Sequence, residues 1–347
     1  MLITLAAPAF AETWYIENGD ITVKAGETGN DVTQNNVTTK NDTDTIITNQ
    51  KTDTASSNTV TIDAENDKVE VKLDNVNIKA DSGSALTSKG DVTLALNGDN
   101  HLTGGISGTG NYGRNGIAST GSLTISGGEN DSLTAQGGSG ADGSYGGHGI
   151  YSNGSLTISG GTVNATGGDG SNVNGSGISS NGSVTISGGT VTANGGNGGN
   201  VSGDGIRSDG GVTISGGTVK AAGGNGGKVG GYGICSFDRV TISGNTVNAA
   251  GGNGGKVGGY GICSFDRVTI SGNTVNAAGG NGGKVGGYGI CSFDRVAISG
   301  GTVEAAGGSS SRNGGSGIYS NDIDLSGSLE LTAKAGSPNG KALSQKG

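Results

Sequence analysis

The sequence predicts an all-β fold: a right-handed parallel β-helix (solenoid) of about nine 28-residue, three-strand coils with an N-terminal cap. Three observations predict it. The dipeptide Gly-Ile recurs with its isoleucine at Ile150, Ile178, Ile206, Ile234, Ile262, Ile290 and Ile318, every interval being 28 residues. Each unit contains three short segments in which apolar and polar residues alternate, the period of a strand. Residues 223–250 and 251–278 are identical 28-mers, as recent tandem duplication leaves them.

The composition looks at first like that of an unfolded chain, with 77 glycines, 31% hydrophobic residues, 4% aromatic residues and a net charge of -9. Two prolines exclude collagen. Periodicity removes the case for disorder, because a solenoid one coil wide needs only a thin apolar core and places its glycines at corners. The acidic balance disfavours nucleic acid as a partner, since no basic stripe is available to neutralise phosphates.

Residues 1–11 read as the remnant of a secretory signal peptide: an apolar stretch ending in the small-x-small site Ala9-Phe10-Ala11. No run of about 18 apolar residues follows, so no membrane span is expected. Residues 12–66 read as the N-terminal cap. Within them, Gln34 to Ser57 carry little hydrophobic signal and read as a mobile loop. Thr59–Ile62 and Val69–Leu73 alternate as strands and lead into the first coil.

The β-helix is expected over residues 67–335, with weaker copies of the Gly-Ile step at Leu86 and Ile117. In one unit, Ile206, Ser208, Val212, Ile214, Val219 and Ala221 should point inward, while Arg207, Thr213, Ser215, Thr218 and Lys220 point outward. The inward set barely changes between units, whereas the outward set varies. Stacked at about 4.8 Å, such coils form continuous Ile, Val and Ala ladders in a rod roughly 40 Å long. Residues 336–347 read as a C-terminal tail.

Candidate chemistry then lies on the outer surface. Cys235, Cys263 and Cys291 share one position in successive coils, read as an outward surface rung. They are passengers of duplication, or neighbours close enough for a labile disulfide. Gly137 to Asp142 matches the opening of the calcium-binding nonapeptide, for which glycine corners of positive φ are the alternative account. The hydroxyl rows Thr185/Ser187 and Thr213/Ser215 are explained by β-propensity. Tyr232, Tyr260 and Tyr288 precede the Gly-Ile step, Phe237, Phe265 and Phe293 follow it, and Arg239, Arg267 and Arg295 lie beside the Phe row. Aromatic faces flanked by hydrogen-bonding charges suit a sugar ring, so these nine residues form the candidate carbohydrate-binding surface, the alternative being rim residues whose rings cover a coil corner. Lys228, Lys256 and Lys284 add a positive column. His101 and His148 belong to no catalytic pattern, so no enzyme is expected.

Val69 to Gly105, then GIASTGSLTISGG (Gly116 to Gly128) and DGIRSDGGVTISGG (Asp204 to Gly217), resemble the carbohydrate-binding β-helix family typified by a secreted clostridial biomass-binding protein. The resemblance implies an extracellular or cell-surface protein with a polysaccharide-lyase-like fold that binds plant-type polysaccharide with calcium as cofactor. Members carry acids around the Gly-Ile-x-Ser turn. Asp204 and Asp209 fit that pattern and are the implied calcium ligands, while Ser176/Asn181 and the Tyr232/Phe237 copies depart from it. The expected function is therefore a non-catalytic polysaccharide-binding β-helix. The alternatives are a structural or adhesive spacer and, further off, a polysaccharide lyase.

Overall fold

The computed structural model describes residues 11–107, 112–140 and 144–346. Nearly all of the signal-peptide reading, and Ala141 and Asp142 of the nonapeptide reading, lie outside the described residues. The chain forms a parallel β-solenoid of about ten turns, with no α-helix among the described residues.

Three ladders run along it. The first joins the Gly-Ile steps in register, with Leu86 on Ile117, Ile117 on Ile150, and so on every 28 residues to Ile290 on Ile318. The second stacks Val184, Val212, Val240 and Val268, and the third stacks Val191, Val219, Val247 and Val275. Every inward position predicted for the coil at Ile206 is buried, Ser208 included. The serine tolerates burial because its Oγ donates to the carbonyl of Gly182, one coil back, at 2.8 Å. Ser152, Ser180 and Ser236 do the same on Gly121, Gly154 and Gly210, so from Ser152 onward a bonded polar column runs down the core.

The glycines serve two needs. At the corner between the second and third strands, Gly161, Gly189 and Gly217 take φ of 74°, 76° and 74°, where a side chain would be strained. In the larger corner before each Gly-Ile step, positive φ is found among the described residues only at Gly198 and Gly199, with φ of 94° and 61°. There the backbone folds flat on itself, Gly231 N–H donating to Gly224 and Gly252 N–H to Gly231. A Cβ on Gly231 would lie 1.8 Å from the carbonyl oxygen of Gly203. Close backbone approach, not handedness, reserves most of these positions for glycine.

The solenoid begins before the expected first coil. Strands β1 (Thr13–Tyr15), β2 (Ile21–Ala25), β3 (Asn30–Gln34), β4 (Val37–Asp42) and β5 (Ile46–Thr48) precede β6 (Val60–Asp74), which stacks under Leu86. β2 and β5 already pair in parallel with β6. β3 and β4 form an antiparallel hairpin turned at Asn35 and Asn36, with φ of 53° and 61°, the conformation that two-residue hairpins demand. The segment Gln34–Ser57 is thus structured, contrary to the mobile loop that its composition suggests. Asn49 holds part of it by accepting the Asn77 N–H at 2.7 Å.

Candidate functional site

Because coils stack in register, residues 28 apart become vertical neighbours, and three outer columns flank the first ladder. Two residues before each isoleucine stand Asn115, His148, Ser176, Asp204, Tyr232, Tyr260 and Tyr288. One residue after it stand Tyr151, Ser179, Arg207, Cys235, Cys263 and Cys291. Three residues after it stand Asn153, Asn181, Asp209, Phe237, Phe265 and Phe293.

In the coils before residue 232 these columns are chemically mixed and bonded upward from coil to coil. His148 N–H donates to Asn115 Oδ1 (2.8 Å), Ser176 N–H to His148 Nδ1 (2.9 Å), Asp204 N–H to Ser176 Oγ (3.3 Å) and Tyr232 N–H to Asp204 Oδ1 (2.7 Å). Each side chain therefore caps the backbone of the next coil. Burial holds His148 down at about 4, with the Arg207 charge adding to the effect. The imidazole is thus neutral near pH 7, with Nδ1 occupied as an acceptor. Burial raises Asp204 to about 6, against the opposing pull of the Tyr232 N–H and of Arg207.

Arg207 stands between two acids, 3.8 Å from Asp204 and 3.8 Å from Asp209, with its guanidinium 4.8 Å from the centre of the Phe237 ring. Asn181 Nδ2 donates to Tyr151 Oη (3.0 Å) and to Asn153 Oδ1 (2.7 Å). Together these groups line a groove of about 520 Å³ that runs from His148 and Tyr151, past Asn181, Asp204, Arg207 and Asp209, to Tyr232, Phe237 and Phe265. Asp204 and Asp209, the implied calcium ligands, come together here but on a guanidinium. Calcium takes six to eight oxygens, whereas this pair offers two carboxylates that already share a guanidinium, so the residues do not fit the ion.

From Tyr232 to Phe293 the same columns repeat one residue type each. Tyr232, Tyr260 and Tyr288 stack at 4.9 Å and 4.9 Å between centroids, and Tyr319 continues the pile at 4.7 Å. Phe237, Phe265 and Phe293 stack at 4.7 Å and 5.1 Å and are 43–45% exposed. Neighbouring rings are near parallel for Phe237 and Phe265 (6°) and tilted for Phe265 and Phe293 (36°), so each ring gives part of its face to its own copy. Arg239 lies 3.8 Å from Asp238 and Arg267 3.8 Å from Asp294, while Arg295 pairs with Asp322 and Asp324.

The cysteines require a correction. Cys235, Cys263 and Cys291 point away from the core, yet they are buried and unpaired in the trough between the Tyr and Phe columns. A hydrogen bond to Cys263 and burial push the Cys235 thiol well up, away from the reactive thiolate. The sequence reading treated each column singly. The missed signal lay in reading columns side by side, which places Asp204, Arg207 and Asp209 beside His148, Tyr151 and Asn181.

A family profile described as beta helix repeat matches residues 156–182, 184–206, 212–234 and 296–318. All four stretches lie within the solenoid, so profile and structure agree on a β-helix repeat architecture. No curated protein and no solved structure matches the chain.

Proposed function

We propose that this protein is a non-catalytic, secreted or cell-surface β-helix that binds polysaccharide on the face bearing the first ladder. The observation supporting this reading is the groove itself, where a guanidinium, an exposed carboxylate, an amide and a phenol converge beside the edges of Phe237 and Phe265. A sugar chain demands that mixture: directional donors and acceptors for its hydroxyls, and apolar edges for its ring carbons. His148 serves here as a structural acceptor and Asp204 as a capped, ion-paired acid, and the reading gives neither a chemical step. No helix of the structure is long and apolar enough to cross a membrane, among the described residues.

A spacer remains the second reading, favoured by the identity of residues 223–250 and 251–278, since a stalk tolerates added coils anywhere. A glycan array, followed by pull-down on insoluble cellulose and pectin with and without chelator, separates the two. Arg207→Ala should weaken retention about tenfold to a hundredfold, the worth of charged hydrogen bonds. Absence of retention on every polysaccharide would leave the spacer. Sensitivity to chelator would restore calcium to the site, and release of unsaturated sugars would make the protein a lyase.

A further inference from the structure

The two ends of the solenoid are finished differently. At the N-terminal end Ile16, Ile21, Val32 and Ile47 are all fully buried beneath β1 and the hairpin of β3 and β4. At the other end the strand Asp322–Lys334 stacks on Arg295–Ala306 and has no partner on its outer edge among the described residues. Its inward residues are left uncovered. Leu325 is 39% exposed where Ile298, directly beneath it, is 1% exposed, and Leu343 is 42% exposed above the fully buried Ile318. Ile323, Leu329 and Leu331 are only partly buried against the core. A long open strand edge joined to an apolar end surface is a template for further pairing.

We infer that a second copy of this chain covers that end, giving a two-fold, end-to-end dimer. The strand is close to a palindrome about Gly327: Ser326 mirrors Ser328, Leu325 mirrors Leu329, and Ile323 mirrors Leu331. Gly327, with φ of 70°, is the corner between its two arms. A two-fold axis through that corner lays each arm antiparallel to the opposite arm of the second copy. Leucine then meets leucine, and the arm that starts at Asp322 lies against the arm that ends at Lys334, as a self-complementary interface requires. Asp322 and Asp324 are already paired with Arg295, so the acidic arm brings no uncompensated charge to the contact. Among the described residues the N-terminal end presents no open core, so head-to-tail stacking has no matching surface there.

Sedimentation and small-angle scattering of the whole chain test this inference independently of any glycan. The expected result is a dimer close to twice the monomer in length. Leu325→Lys and, on a different ladder, Leu343→Lys should each yield monomers with unchanged circular dichroism, while Phe265→Lys on the lateral face stays dimeric. Should one end variant fail to fold, the other still decides the matter. A monomer at high micromolar concentration, or a dimer no longer than a monomer, would overturn the inference.

Discussion

The coils at Ile150, Ile178 and Ile206 and those at Ile234, Ile262 and Ile290 share an interior but not a surface. Inside, both sets stack Ile, Val and Ala in the same register. Outside, duplication makes every side chain the neighbour of its own copy. For aromatic residues that is favourable, so Tyr and Phe pile up and seal the thiols between them. For charges it is not. Lys228, Lys256, Lys284 and Arg312 form an exposed column with no acidic partner among the described residues. In the divergent coils, neighbours differ and complement each other, as Asn181 does with Tyr151 and Asn153 of the preceding coil. Divergence opens a groove that duplication closes.

The sharpest test of the shared interior is truncation within the first ladder. Ile178→Ala and Ile262→Ala should each cost about 2–5 kcal/mol, and by the same amount, in urea or thermal unfolding. Unequal costs would break the comparison at its foundation. Next come the buried Asp204 and His148 of the divergent coils. Asp204 is raised from 3.8 to about 6, so stability is complete below its unfolded value and falls as pH rises through 6. Asp204→Asn should therefore stabilise the fold by up to about 3 kcal/mol at pH 7 and not at pH 4. His148 is lowered from 6.5 to about 4, so its contribution is present above 6.5 and lost as pH falls towards 4. His148→Gln, which keeps an acceptor for the Ser176 amide, should remove that acid sensitivity from the melting curve. In the duplicated coils, Phe265→Ala removes a half-exposed ring and should cost about 0.5–1.5 kcal/mol in stacking. Smallest of all, deleting residues 251–278 should leave glycan retention unchanged, because Phe293 then occupies the place of Phe265.

The interior was legible in the sequence because one residue type at one spacing admits one inward face. Ile206, Val212, Ile214 and Val219 follow from the alternation alone and are all buried. The beginning of the fold was not legible, since the parallel pairing of β2 and β5 with β6 depends on contacts distant in sequence, and Asn35-Asn36 is a short turn signal in a polar stretch. Burial of Cys235 escaped detection because an outward direction does not imply exposure when both neighbouring columns are bulky. The stacking of the aromatics follows from the 28-residue spacing, whereas the angle between neighbouring rings depends on packing that spacing does not specify. Asp204 and Asp209 were singled out from a motif, but the residue between them determined what they do.

The bonds between coils run parallel to the rod axis, so tension between the two ends would load them lengthwise and peel coils away rather than shear them together. Each detached coil would release 28 residues, about 90 Å of extended chain once the strand spacing it occupied is subtracted. The identical coils would yield at matching forces and the divergent ones at differing forces. A rod of this design would lengthen under load in defined steps of one coil each.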